Sequence, residues 1–255
     1  MDKIIIIYHS GVGNTKLVAK SIVKQLNSDF DTEIYSVEKL PDGLELSNYK
    51  GVILGFPTIH THPTKRILEF IDGLTRLQKK IPAYIFTTCG LYSANTLRIF
   101  SKKCMSKNII PVVNHSYRCA AIDGILFAPD IRFFFTKEKR LEIKIINDCN
   151  EFKRKLVNLD IKPNIPRFKL YSILNYPNKL VGQLYVFPIY LHKDRCIKCG
   201  KCTMNCPGKA LYMNEENYPV YLKEKCERCY RCIHHCPKTA LSLSKKKTPK
   251  KLLHI

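Results

Sequence analysis

The 255-residue chain is 45% hydrophobic and carries 43 Lys and Arg against 21 Asp and Glu, a formal net charge of +22 at pH 7. That length accommodates two domains and a sizeable core in at least one, and the apolar fraction is ordinary for a globular protein. No run of about 18 or more consecutive apolar residues is present, so no transmembrane segment is expected. The opening residues lead straight into a strand-like run without a secretory leader. A cytoplasmic location is therefore expected, where twelve cysteines mean metal or redox work, not disulfides. The positive charge suits an acidic partner or an anionic surface, or is simply a lysine-rich solvated face. Without a helix-turn-helix or RNP pattern, a nucleic-acid partner is not expected.

Residues 3–9 form a continuous β-branched apolar run, as a strand buried on both faces reads. Ser10, Gly11, Val12, Gly13, Asn14 and Thr15 follow as a short loop. Leu17, Val18, Ile22 and Leu26 then recur at helical spacing. Residues 33–37, 51–56, 82–88 and 108–116 read as strands. Residues 64–77, 93–107 and 137–159 read as helices, the last with Leu141, Ile145, Cys149, Phe152 and Leu156 on one side. Five strands alternating with helices predict an α/β domain over 1–159, with a doubly wound five-stranded parallel sheet that binds ligands at the carboxyl ends of its strands. Residues 119–135 read as an irregular insertion at that same edge.

Residues 160–190 are interrupted by Pro163, Pro166, Pro177 and Pro188 and read as a linker packing between domains. Its apolar residues, Leu170, Tyr171, Ile173, Leu174, Leu184, Tyr185, Val186 and Phe187, are expected in an interdomain core; a membrane-surface patch is the other reading. Residues 191–245 form a small α+β domain, and 246–255 a basic tail expected to be disordered.

The small domain carries the most specific signal. Cys196, Cys199, Cys202, Cys206 and Pro207 spell C-x2-C-x2-C-x3-C-P, and Cys226, Cys229, Cys232, Cys236 and Pro237 repeat it thirty residues on. This spacing is that of bacterial two-cluster ferredoxins. Three thiolates two residues apart wrap one cubane, and the fourth, stiffened by proline, completes the other. One 4Fe–4S cluster is thus assigned to Cys196, Cys199, Cys202 and Cys236, and a second to Cys226, Cys229, Cys232 and Cys206. Zinc is the competing reading of C-x2-C pairs, but zinc sites do not need four cysteines at fixed steps in both halves. With about 55 residues, metal ligation must supply much of this domain's stability. Cys104, Cys119 and Cys149 read as small buried hydrophobes.

The loop at 10–15 lacks the lysine of a Walker A sequence and the third glycine of a dinucleotide fingerprint. It leaves hydroxyls, an amide and backbone N–H groups at a helix N-terminus, suited to one terminal phosphate. Ser10-Gly11-Val12-Gly13-Asn14-Thr15 resembles the [S/T]-x-T-G-x-T phosphate loop of flavodoxins, with Val12 in place of a threonine. The resemblance implies FMN, with Pro57, Thr58, Ile59 and His60 against one face of its ring and Thr88, Cys89, Gly90 and Tyr92 against the other. The chain has no Trp, so His60 and Tyr92 are the available planar residues. Cys89 reads as a packing contact, with a reactive thiol as the other possibility. The whole chain resembles anaerobe proteins that fuse a flavodoxin-like domain to a two-cluster ferredoxin domain.

The function expected is electron transfer among two 4Fe–4S clusters, FMN and an external redox protein, possibly an acidic ferredoxin- or flavodoxin-like carrier. Lys193, Arg195, Lys198, Lys201, Lys223, Lys225, Arg228 and Arg231 surround the cysteines in sequence and suit such a carrier. Two other classes stay open. One is an FMN-dependent oxidoreductase reducing a small acceptor, with His60, His62 and Tyr92 as candidate proton donors. The other is a regulatory protein with a degenerate flavin site.

Overall fold

Isoleucines 4 to 7 are all fully buried, because β1 (Lys3–Tyr8) lies inside a sheet covered on both faces. Alternation along the strand divides them: Ile4 and Ile6 join one core, Ile5 and Ile7 the other. The computed structural model describes residues 1–173 and 187–253. After β1 the chain runs α1 (Asn14–Leu26), β2 (Asp31–Ser36), β3 (Gly51–Ile59), β4 (His62–Pro63), α2 (Lys65–Gly73), β5 (Ile81–Cys89), α3 (Thr96–Met105), β6 (Ile109–Arg118), α4 (Ile122–Phe127) and α5 (Leu141–Val157).

The main strands are parallel in the order β2-β1-β3-β5-β6, with β4 folded back antiparallel on the end of β3. This is the flavodoxin-like doubly wound order, whose switch point lies between β1 and β3. Val18, Ile22 and Leu26 of α1 and Ile145, Phe152 and Leu156 of α5 fill the first core. Ile67 and Ile71 of α2 and Leu97, Phe100 and Cys104 of α3 fill the second. The insertion at 119–135 is more ordered than its sequence suggests, containing α4 and a 3-10 turn at Arg132–Phe135.

β6 is an edge strand, which explains how it tolerates Pro111. The described part of the 160–190 segment covers that edge. Asn164 donates its backbone N–H to Pro111 O at 2.7 Å, and Arg98 Nη1 donates to Pro166 O at 2.9 Å. Covering an edge in this way blocks pairing with another chain. Pro177 and the apolar residues Leu174, Leu184, Tyr185 and Val186 lie outside the described residues.

The cysteine-rich part contains β7 (Tyr190–Leu191), α6 (Lys201–Met204), β8 (Leu211–Met213), β9 (Pro219–Tyr221), α7 (Arg231–His234) and β10 (Leu241–Ser242). The thirty-residue repeat is structural: α6 falls on α7, and the 3-10 turn Lys193–Arg195 on Lys223–Lys225. β7 pairs with β10 and β8 with β9, so the halves interlock. Ile189, Tyr230, Ile233 and Leu241 cluster as its small buried apolar centre. The basic tail is not the loose extension expected. Leu252 packs on that centre and the Leu253 N–H donates to His234 Nδ1 at 3.1 Å. Its two leucines, not its lysines, decide where it lies. Among the described residues no helix is long and apolar enough to cross a membrane.

Phe152 is fully buried, with its ring centroid 6.0 Å from that of Tyr84. Phe152→Ala should lower stability by about 3–5 kcal/mol through lost burial and the cavity left. The urea midpoint followed by far-UV circular dichroism on the metal- and flavin-free chain measures this; a midpoint equal to wild type contradicts the packing described.

Candidate functional site

The carboxyl ends of β1, β3 and β5 open into a cleft lined by both polar and apolar groups. Ser10, Gly11, Val12, Asn14 and Thr15 line it from the loop between β1 and α1. Pro57, Thr58, Ile59 and His60 line it after β3, and Thr88, Cys89 and Gly90 after β5. The structure thus brings three loops, distant in sequence, to one place.

Local hydrogen bonds fix these loops. The Lys16 N–H donates to Ser10 Oγ at 3.3 Å, and Thr15 Oγ1 lies 2.8 Å from Thr88 Oγ1, tying the first loop to the third. Thr87 Oγ1 donates to Phe56 O at 2.9 Å, and the Thr58 and Thr87 hydroxyls are 2.8 Å apart. His60 and Thr61 have φ of 46° and 60°, the tight turn that returns the chain into β4. Asn14 Nδ2 donates to Ala120 O at 2.9 Å, leaving its Oδ1 buried without a partner among the described residues. Behind the loop, His9 Nδ1 meets Glu38 Oε1 at 2.6 Å. Burial alone would raise the Glu38 carboxyl, but His9, by hydrogen bond and charge, holds it down to about 2.

Two expectations change. Tyr92 does not line the cleft; it is 37% exposed and packs edge-on against Tyr171, with centroids 6.2 Å apart. The chain after Gly90 turns outward, carrying the aromatic with it. Gly13 also stays out of the lining, standing at the start of α1 with φ 142°. Cys89 is 7% exposed, and burial raises its thiol above the ordinary range, which disfavours a reactive thiolate. Cys119 and Cys149 are pushed up to about 12 by burial, and Cys104 also rises for that reason.

The rest of the lining comes from residues the sequence reading did not place there. Ala120, Ile122 and Asp123 belong to the insertion, and Arg228 and Tyr230 to the cysteine-rich repeat. Gly90 lets the insertion close in: a Cβ there would lie 2.5 Å from the Ala121 Cβ. The repeat closes in by direct contact. A Cβ on Gly11 would lie 3.2 Å from Cys229 Cβ and 3.3 Å from Cys229 O.

Polar contacts hold this junction. Arg231 donates Nε to Gly11 O at 2.7 Å, Nη2 to Ser10 O, and Nη1 to Asn205 O at 2.9 Å. His235 Nε2 donates to Val12 O at 3.1 Å. On the other side Arg66 donates Nε to Glu227 Oε1 at 2.7 Å and Nη2 to Pro207 O. Arg228 and Arg231, expected on a solvent-facing docking surface, are both turned inward instead. Their sequence signal, a cation between cysteines, does not distinguish a face turned to solvent from one turned to a second domain.

Cys196, Cys199, Cys202 and Cys236 line one cavity. Cys206, Cys226, Cys229 and Cys232 make the second group. Burial raises the Cys229 thiol to about 12, with Cys226 and Cys206 adding to it, and raises Cys232 with Cys229, Cys226 and Cys206 adding. Among the described residues no three His, Cys, Asp or Glu side chains converge as a single-ion centre requires. Thiols this buried ionise only against compensating positive charge, and thiolate-bound iron supplies it. Backbone N–H donors also point at sulfur: Ala210 to Cys206 Sγ at 3.1 Å and Ala240 to Cys236 Sγ at 3.2 Å. The donor sets fit multi-iron clusters, and the hydroxyl- and amide-lined cleft fits an anionic ligand.

Comparison with known proteins agrees with this division. The family model for the flavodoxin domain matches residues 5–118, and that for the 4Fe-4S dicluster domain matches residues 195–240. Flavodoxin 1 from Bacillus cereus superposes with a TM-score of 0.47 at 19% identity, covering 60% of this chain and 97% of that one. The rubredoxin oxygen:oxidoreductase of Desulfovibrio gigas gives 0.43 at 16% identity, covering 61% and 37%. Pyruvate synthase subunit PorD from Pyrococcus horikoshii is 45% identical over 40 residues, 16% of this chain and 38% of that subunit; its Pyrococcus abyssi counterpart is 42% identical over the same shares. The chain thus spans about 38% of the length of these curated relatives. A flavodoxin domain is joined here to a 4Fe–4S domain, a combination suited to electron transfer with FMN and iron–sulfur as its cofactors.

Arg231→Ala should loosen this junction without unfolding either part. Deuterium uptake at the backbone of residues 10–15 should rise while far-UV circular dichroism stays unchanged. Uptake identical to wild type would mean that Arg231 does not hold the junction.

Proposed function

We propose that this chain relays electrons between an external redox protein and FMN through two 4Fe–4S clusters. When bound, FMN exchanges one or two electrons, and each cluster exchanges one. Ser10, Gly11, Val12, Asn14 and Thr15 would hold the flavin phosphate by backbone N–H groups and hydroxyls at the start of α1, with Gly13 shaping the turn behind them. Pro57, Thr58, Ile59 and His60 pack on one side of the ring, and Thr88, Cys89 and Gly90 on the other. Cys196, Cys199, Cys202 and Cys236 hold one cluster; Cys226, Cys229, Cys232 and Cys206 hold the second.

The observation that carries this reading is the contact of Cys229 with Gly11. A ligand of the second cysteine set touches the phosphate loop with no side chain between them. Close approach of that kind suits transfer between the domains, and one chain gives a high effective concentration. The first set faces the other way. Cys199 is exposed, and Ile197 and Met204 of the same segment are 56% and 74% exposed. Lys193, Lys198 and Lys201 are exposed around them. An apolar patch rimmed by lysines suits docking of an acidic redox carrier. The cover of Ile122, Asp123, Arg228 and Tyr230 over the cleft favours a relay over reduction of a small molecule at the flavin.

Chain purified anaerobically should contain about eight irons and one FMN. Zinc in place of iron defeats the cluster assignment, and iron without flavin defeats the FMN assignment. Gly11→Val should keep the iron but slow flavin reduction by the clusters at least tenfold in stopped-flow mixing with a reduced ferredoxin. Undiminished transfer would remove the Gly11–Cys229 contact from the route. Fast turnover of a quinone, a nitro compound or NAD(P)H would instead make the protein an FMN-dependent oxidoreductase.

A further inference from the structure

The two halves of the cysteine repeat differ at the positions that meet the cleft. With the thirty-residue offset, Lys198 corresponds to Arg228 and Gly200 to Tyr230. All four have left-handed backbone, with φ of 58° at Lys198, 67° at Gly200, 57° at Arg228 and 52° at Tyr230. Glycine takes that conformation freely, whereas a bulky side chain takes it at a cost. The first half uses the free residue at its second left-handed position, and the second half places a tyrosine there. Arg228 and Tyr230 line the cleft at the strand ends, whereas Lys198 and Gly200 line the cavity of their own cysteines.

The cations differ in the same way. Lys198 is exposed, with Nζ 4.4 Å from the Tyr218 ring centroid. Arg228 lines the cleft, and its Nε and Nη1 are buried and have no hydrogen-bond partner among the described residues. Arg228 forms no ion pair within 4.0 Å among the described residues; the Asp123 carboxylate lines the same cleft, and both act on the Tyr230 hydroxyl. Desolvated guanidinium donors without acceptors are costly, which points to acceptors supplied by a ligand. Arg228 also lines the adjoining groove beside Ile59 and His60, the loop after β3. The phosphate-loop carbonyls of Ser10 and Gly11 are served by Arg231 instead.

Resting on the FMN reading above, we infer that Arg228 contacts the flavin ring: its guanidinium donates to carbonyl acceptors on the ring edge, and the flavin site is completed by the cluster domain. Each electron that arrives at the ring adds one negative charge, less any proton taken up. A fixed cation with its donors already desolvated offsets that charge and favours the reduced flavin. The cluster domain then acts on the flavin's potential as well as delivering its electrons.

The test compares full-length wild type, Arg228→Gln and Arg228→Lys, reconstituted anaerobically. Titrations with FMN and with riboflavin give affinities, and redox titration gives the flavin midpoint potential. Iron content and far-UV circular dichroism check that each variant is assembled. Arg228→Gln should weaken FMN and riboflavin binding alike, at least tenfold. It should weaken the reduced form tenfold more than the oxidised, a fall of about 30 mV for a two-electron couple. Arg228→Lys, which keeps the charge, should recover most of the potential. Unchanged affinities and potentials overturn the inference. Weakened FMN with unchanged riboflavin also overturns it, by placing Arg228 on the phosphate. A wild-type chain that takes up iron but no flavin sinks the FMN reading itself.

Discussion

The contact on which the rest depends is backbone against backbone: the loop after β1 pressed against the loop that carries Cys229. It exists because Gly11 has no side chain, and a Cβ there would already crowd Cys229. Backbone contact also leaves carbonyls to be satisfied, since Ser10 O, Gly11 O and Val12 O turn to the cysteine-rich part. Arg231 and His235 satisfy those three carbonyls. The same loop that lines the cleft on one side is thereby acceptor-rich on the other. The cations of the second domain complement that side, so the binding loop and the docking surface are two faces of one short segment.

This geometry orders the two cysteine sets. The second set is nearest the cleft because its own loop supplies Cys229, Arg228 and Tyr230 to the junction. The first set is carried outward by the interlocked repeat and presents Cys199 to solvent. The two sets adjoin within the small domain, where Cys202 is among the charges acting on Cys232. A repeat that began as two equal halves has one half fitted to an internal surface and the other to an external one.

Much of this was legible in the sequence, and the reasons are specific. The β-branched run at 3–9 announced a central strand because a strand buried on both faces needs no polar residues. The cysteine spacing announced paired thiol sets because ligand steps are fixed by the chain's path around them. The first loop of the cleft was legible as a hydroxyl- and amide-rich turn at a helix start, and the other two followed from the resemblance to flavodoxins; a doubly wound sheet gathers all three strand ends at one edge. What escaped was whatever depends on docking. Tyr92 was expected beside the cleft and faces Tyr171, because the path of a loop beyond its strand is set by what it packs on. Arg228, Arg231, Asp123 and Tyr230 lie at least a hundred residues from the loop they approach, and no local pattern encodes that meeting.

One regularity does connect sequence to docking. In 191–245 every lysine is exposed, while Arg228 and Arg231 are half-buried against the flavodoxin domain. The chemistry of the two cations accounts for the division. A lysine ammonium is a strongly hydrated point charge that resists burial, whereas a guanidinium is planar, more weakly hydrated and can serve several acceptors at once. Arg231 serves three carbonyls from two parts of the chain, which one ammonium could not do in that plane. Arg195 is exposed and, among the described residues, donates to Thr239 Oγ1 at 2.8 Å. Within a strongly basic chain, then, the total charge says little about partners. The choice between arginine and lysine at each position separates the cations that hold the two domains together from those available to a third molecule.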